Sequence, residues 1–177
     1  MYVRRRTGEQ FHPDCLVRTI KHPVSIMVWS VINSRGAGRL YIVEGTMRQD
    51  QYKKVLQRRL IPQLKEWFPR RQKYIFMHDS APCHKAKSIT KYLLNKKIPV
   101  LDWPGNSPDM NPIENIWAIL KKEMAKDMIT TKSELIEKLK EVWHNNPRIA
   151  ENIKTSISSM PRRLGALIKA KGGTTKY

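Results

Sequence analysis

Residues 73–103 read KYIFMHDSAPCHKAKSITKYLLNKKIPVLDW, and this stretch decides the fold. Lys73 to Asp79 is a short apolar run closing on polar residues, the pattern of a buried strand. Ser80-Ala81-Pro82 then opens a helix with Ala86, Ile89 and Leu93 on one face. Ile98 to Trp103 is a second short strand, broken by Pro99. Strand, helix and strand in that order predict two parallel strands in one sheet.

Toward the N-terminus, Val24 to Asn33 (VSIMVWSVIN) is almost continuously apolar and β-branched, so it predicts a buried strand. Ser34-Arg35-Gly36-Ala37-Gly38 is a glycine turn, and Arg39 to Glu44 is the returning strand of a hairpin. Thr46 and Gln49 have capping-box spacing and predict a helix to about Trp67, kinked or divided at Pro62, with Pro69 beyond its end. Residues 1–23 are basic and proline-broken, hence extended. Toward the C-terminus, Trp103 to Pro112 holds three prolines and a glycine, a rigid loop. Asn111 caps the next helix with Pro112 at its first position, and Ile113, Ile116, Trp117, Leu120 and Met124 form its apolar stripe. Thr131 to Glu134 caps another helix with Leu135, Ile136, Leu139, Val142 and Trp143 facing in. A last basic helix is expected over Ile149–Ser159. A hairpin followed by alternating helices and strands gives an α/β fold, a mixed sheet with helices around it.

The chain has 177 residues, with 34 Lys and Arg against 15 Asp and Glu, a net charge of +19. This length suits one domain. No apolar run approaches the roughly 20 residues of a membrane span, and Met1 to Arg6 offers no apolar stretch of the kind a signal peptide uses. Cys15 and Cys83 cannot form a disulfide scaffold or a four-cysteine zinc site, and Cys83-His84 lacks a partner pair at metal spacing. The surplus of positive charge favours polyanions, chiefly nucleic acid, over a surface charged only for solubility. It is unevenly spread: residues 152–177 hold six Lys or Arg and no acid.

Two carboxylates stand out. Asp79 closes a strand, where α/β sheets place their sites; taken alone it also reads as a turn or cap aspartate. Glu114 falls about 100° from Ile113 around its helix, on the border of the apolar stripe, where a carboxylate can reach past the sheet end. It is also three residues after Asn111, the capping-box position. Two acids converging on one point suit a hard divalent cation and phosphoryl transfer. Lys121 lies near the same helix edge as Glu114 and, with Lys122, either meets a DNA phosphate or lines a solvated face.

The segments His78-Asp79-Ser80-Ala81-Pro82-Cys83-His84 and Trp103-Pro104-Gly105-Asn106-Ser107-Pro108-Asp109-Met110-Asn111-Pro112-Ile113-Glu114-Asn115-Ile116-Trp117 resemble the catalytic domain of mariner-superfamily transposases. The 34 residues between Asp79 and Glu114 match the Tc-type branch. Ser25–Trp29, Glu44–Met47 and Ser159-Met160-Pro161-Arg162-Arg163 match as well, so the resemblance runs over almost the whole chain. It implies a ribonuclease-H-like fold in a single catalytic domain over 1–177, incomplete at its N-terminus. It implies metal-dependent cleavage and transfer of DNA strands, with Mg²⁺ or Mn²⁺ held by Asp79 and Glu114. His84, Ser80 and Asn115 would lie near the site, and Lys121, Lys122, Arg162 and Arg163 would contact DNA. The partners implied are DNA and a second copy of the chain in a homodimer, without a membrane, in the nucleus. Ser80 stands where the family often has asparagine, and His78 where it usually has glutamine.

The family's first aspartate lies on a strand ahead of Tyr2-Val3-Arg4-Arg5, and none of Glu9, Asp14, Glu44, Asp50 and Glu66 is placed to substitute for it. The family's DNA-binding helix-turn-helix region also lies upstream. Residues 1–177 are therefore expected to be catalytically silent, with the edges of the strands at 24–33 and 73–79 exposed. The alternatives to a working catalytic domain are an inactive DNA-binding remnant and a ribonuclease-H-like nuclease of another type. The second has no use for the proline-rich motif.

Overall fold

The computed structural model describes residues 7–8, 24–103, 107–173 and 175. The extended reading of residues 1–23 lies outside these, apart from a turn at Thr7-Gly8.

The apolar run at 24–33 forms two short strands rather than one: β1 (Met27–Trp29) and β2 (Ile32–Asn33). The chain returns through β3 (Gly36–Ala37) and β4 (Tyr41–Val43). The hairpin is antiparallel, as expected, with Met27 opposite Val43, Trp29 opposite Tyr41, and Ile32 opposite Ala37. The break between β1 and β2 has a local cause. Ser30 Oγ donates to the carbonyls of Gly38 and Arg39, both at 3.3 Å, and Gly38 N–H donates to Val31 O at 2.7 Å. A Cβ on Gly38 would sit 2.6 Å from Val31 O and 2.9 Å from the Trp67 ring, so only glycine permits this close approach.

The sheet is covered on both faces, which explains why its strands are apolar throughout rather than alternating. Trp29 and Val43 face a core with Tyr52, Leu56, Ile89 and Leu93. Val28, Ile32 and Ile42 pack on a second core with Ile116, Trp143 and Ile153.

Helices α1 (Gln49–Val55) and α2 (Ile61–Trp67) supply much of the first core. The expected Thr46 cap is replaced by Arg48, whose backbone N–H donates to Gln51 Oε1 at 3.1 Å. The division expected at Pro62 lies just ahead of it, between α1 and α2. A wide turn over Leu56–Leu60 precedes the proline, with Ile61 N–H bonded to Leu56 O five residues back. That spacing gives the proline ring room where an ordinary turn would clash with the carbonyl four residues earlier. Helix α3 (Lys87–Asn95) follows the Asp79 loop.

The second core is built by α4 (Pro112–Met124), α5 (Lys132–Asn145) and α6 (Pro147–Ser158). Asn111 caps α4 and Thr131 caps α5 through a capping box with Glu134, both as expected. The helix expected at 149–159 is present as α6, and a further helix that the pattern did not predict follows it. Asn146 and Pro147 start α6, and α7 (Met160–Lys169) begins afresh because Pro161 has no N–H to continue it.

The stretch 73–79 runs parallel to 98–103 as expected, but the two meet in one bridge and form no regular strand pair. Phe76 N–H donates to Pro99 O and Leu101 N–H donates to Phe76 O, both at 2.8 Å. Strand geometry turns the peptide groups of Ile75 and Met77 the opposite way. There they line a slot of about 560 Å³ that runs to Val28, Trp29 and Ile32 of the hairpin. Those backbone groups bond no other described residue, and Ile75 is 67% exposed. Along this edge no described residue pairs with 73–79, and without a described neighbour the stretch has no ladder to regularise it.

Candidate active site

Asp79 leaves the sheet at the mouth of this slot. Its Oδ1 accepts from Ala81 N–H at 3.0 Å and from His84 Nδ1 at 2.6 Å. The first bond makes Asp79 a turn aspartate, so that reading is correct. It does not exhaust the residue. The side chain is 56% exposed, and Oδ2 bonds no described group. One oxygen fixes the loop and the other faces outward.

His84 is itself held. Its ring lies 4.0 Å from the ring of Tyr52 and 5.2 Å from that of His78, nearly parallel to the latter. Tyr52 is fully buried in α1, and its hydroxyl lies 2.9 Å from His78 Nδ1. Burial pushes the Tyr52 phenol well above its ordinary pKa, so it keeps its proton and donates it. Burial, and secondarily the neighbouring His84, lowers the His78 pKa from 6.5 to about 4, against an opposing pull from Asp79. His78 is then a neutral acceptor at Nδ1 with its proton on Nε2. Tyr52 thus anchors His78, and both rings flank the His84 that grips Asp79. Sequence reading missed Tyr52, which looks like any core tyrosine on an amphipathic helix.

The depressed His78 pKa sets a pH dependence. The unfolded chain takes up this proton below about pH 6.5, whereas the folded one resists until about pH 4. Stability from this source is intact above pH 6.5 and drains away between pH 6.5 and 4. At about 1.4 kcal/mol per unit the loss is at most about 3–4 kcal/mol, reduced by the partial exposure of the ring. Urea titrations of the wild type and His78→Gln across pH 4–7 should show a flatter acid limb in the variant. An unchanged limb would contradict the assignment.

Glu114 occupies the third position of α4. Asn111 Oδ1 accepts from Ile113 N–H at 3.4 Å, and Asn111 N–H donates to Pro108 O at 3.0 Å. The Glu114 carboxylate therefore closes no capping box and is left exposed for the cleft. It lines the slot together with Asp79, and the two also line an adjoining cavity of about 410 Å³ with Ser80, Ser107 and Asn111. Ser80 Oγ is buried there without a hydrogen-bond partner. Two exposed carboxylates beside an unpaired hydroxyl are hard oxygen donors, and they fit one hydrated divalent cation. Among the described residues no group of three or more His, Cys, Asp or Glu side chains is arranged to hold a metal. The Cys83 thiol, pushed up chiefly by burial, is no ready thiolate ligand.

None of the four basic residues expected to meet DNA lines either cavity. Lys121 and Lys122 are exposed in the last turn of α4 and line neither cavity. Arg163 is engaged within the fold. It donates to Ser159 Oγ at 2.9 Å and to Asp109 O at 3.3 Å. With the Asn115 amide turned to satisfy both groups, its oxygen accepts from Arg163 at 2.6 and 3.0 Å. Asn115 and Arg163 thus tie α7 to the proline loop and the start of α4, which steadies Glu114. Arg162 is exposed beside them.

The sequence profile of DDE superfamily endonucleases matches residues 2–136. The Tcb2 transposase of Caenorhabditis briggsae is 30% identical over 177 residues, covering 99% of this chain and 63% of that protein. The Tc1 transposase of Caenorhabditis elegans gives the same identity and coverage. The chain thus spans somewhat under two thirds of these relatives. The crystal structure of the Mos1 mariner transposase catalytic domain superposes with a TM-score of 0.77 at 21% identity, over 85% of this chain and 76% of that one. The Mos1 paired-end complex with Mn superposes at 0.81 and 19% identity, over 99% and 52%. This likeness establishes the ribonuclease-H-like fold. By profile, by relatives and by fold, the chain belongs to the DDE superfamily endonucleases.

Proposed function

We propose that residues 1–177 form a single catalytic domain of a Tc1/mariner-type transposase that acts on DNA phosphodiesters. The observation that carries this is the convergence of Asp79 and Glu114, spaced as in the Tc branch, on one cavity. Asp79 Oδ2 and the Glu114 carboxylate would hold Mg²⁺ or Mn²⁺, in line with Mos1 structures that contain either metal. When bound, the ion would supply positive charge to a scissile phosphate and its leaving oxygen. His84 and the Ala81 N–H orient Asp79 so that Oδ2 faces the cleft. Asn111 and Arg163 fix the start of α4, and so the place of Glu114. DNA as substrate, a homodimer and a nuclear location complete the reading. DNA follows the resemblance and the Mos1 complex with a transposon end, whereas the homodimer and the nuclear location follow the resemblance alone.

Mn²⁺ titration of the 177-residue chain, followed by electron paramagnetic resonance, tests the site without needing turnover. Asp79→Ala and Glu114→Gln should each weaken binding by 10-fold or more, on the order of 1.4 kcal/mol or above. Lys121→Gln should leave it unchanged. Equal affinity in all four proteins would refute the site.

A second reading, an inactive DNA-binding remnant, draws on the same geometry. Only two acids of the expected triad lie in the cleft among the described residues, beside an open slot.

A further inference from the structure

Eight of the basic residues that the acid site does not use lie together on one face. Helix α1 and its wide turn expose Lys53, Lys54 and Arg58, with Asp50 as their only acid. Residues 85–97 add Lys85, Lys87, Lys91, Lys96 and Lys97, all exposed, and no acid. The two sets share a surface. Lys53 Nζ and Lys96 Nζ both lie over the ring of Tyr92, at 5.5 and 6.0 Å, and Ser88 Oγ bonds Gln49 Oε1 across the helices at 3.2 Å. None of the eight forms an ion pair with a described residue. Helix α5 is the contrast, with its lysines interleaved with Glu134, Glu137 and Glu141 and Lys138 paired to Asp127 and Glu141.

Part of this arrangement works against folding. Like charges converge on Tyr92, and Lys85 and Lys87 stand at the start of α3, where the helix dipole favours acids. Lys53 and Lys96 gain from the Tyr92 ring, but no acid offsets Lys85, Lys87 and Lys91, and a local rule left without an opposite charge marks function more often than structure. The face also continues from the acid site. Tyr52 of α1 touches His84, and the Asp79–His84 loop runs directly into α3.

We infer that the α1–α3 face is a track for the sugar-phosphate backbone of duplex DNA, carrying the flank of a molecule whose scissile phosphate sits at Asp79. This rests on the proposed function and extends it to a surface away from the acids. Helix α3 is about 14 Å long, room for about four base pairs at 3.4 Å each. The exposed ammonium groups would replace condensed counterions, so recognition is of phosphate and not of base sequence.

Fluorescence anisotropy of the 177-residue chain with a labelled 30-base-pair duplex, at several salt concentrations, tests this. Lys54, Lys87 and Lys91 make no contact that holds the fold, so their joint replacement by Gln should leave the far-UV dichroism and urea midpoint unchanged. It should reduce the slope of log K against log salt by about two to three, as expected for as many lost phosphate contacts. The triple Arg variant should retain both slope and affinity. Unchanged binding by the triple Gln variant, with loss instead on Lys121→Gln/Lys122→Gln, would overturn the track while sparing DNA binding. A parent chain that ignores duplexes at low salt, or binds anionic phosphatidylserine vesicles in their place, would overturn both.

Discussion

Supercoiled plasmid incubated with the 177-residue chain and Mn²⁺ is expected to stay uncut. A two-ion site holds like charges about 3.5–4 Å apart and needs a carboxylate between them. The cleft presents Asp79 and Glu114, and no third acid among the described residues joins them. The place such a group would occupy is visible as the slot between β1–β2 and residues 74–79. An extended strand there would satisfy the open backbone groups of Ile75 and Met77 and end beside Asp79. Loss of a merely supporting residue costs about 10–100-fold at a metal site, so an absent ligand should reduce nicking below detection. The same open edges favour association, and the chain should aggregate at concentrations where ordinary domains stay soluble. A longer chain that brings the strand implied by the family resemblance should nick, and Asp79→Ala should abolish that nicking. Nicking by residues 1–177 that disappears on Asp79→Ala would show that another group completes the site.

The two acids were legible because local signals place them. Asp79 ends an apolar run, and Glu114 follows an Asn-Pro helix start, so spacing along the chain fixed their positions before any tertiary contact was considered. What escaped was set by contacts between distant segments. Tyr52 matters because α1 packs against the 78–84 loop, and no periodicity separates such a tyrosine from an inert core residue. The structural role of Arg163 was likewise hidden, because its partners Asn115 and the Asp109 carbonyl lie about 50 residues away in sequence. The direction of the 73–79 stretch followed from strand–helix–strand order. Its regularity depends on a neighbour along the other edge, which local pattern cannot supply. Pro62 shows the limit of a local rule in another way. A proline forbids the ordinary turn, yet a wide turn satisfies that prohibition as well as a kink does. Met160-Pro161 marks the start of α7, since proline favours the first turn of a helix.

Trp143→Ala should be the most damaging single change away from the cleft. The indole is 1% exposed, stacks on Trp117 with ring centroids 5.0 Å apart, and donates from Nε1 to Gly38 O at 2.9 Å. It therefore joins three parts of the molecule: α5, the hairpin turn and α4. Removing a buried tryptophan costs about 3–5 kcal/mol, a large share of the roughly 5–15 kcal/mol that holds a domain together. Trp143→Phe keeps most of the volume and loses the bond. Gly38 O still accepts from Ser30 Oγ, so that variant should lose only about 1–2 kcal/mol. Urea unfolding of the three proteins measures both differences, and a loss under about 1 kcal/mol for the alanine variant would contradict the packing described. The consequence reaches the acids because Trp117 lies three residues beyond Glu114, about one turn along α4. With the stack gone, the first turns of α4 lose their backing against α5. The alanine variant should then bind Mn²⁺ more weakly under conditions where it is still folded, while the phenylalanine variant binds as the wild type does. Equal binding by both would mean that Asn111 and Arg163 hold Glu114 without help from the core.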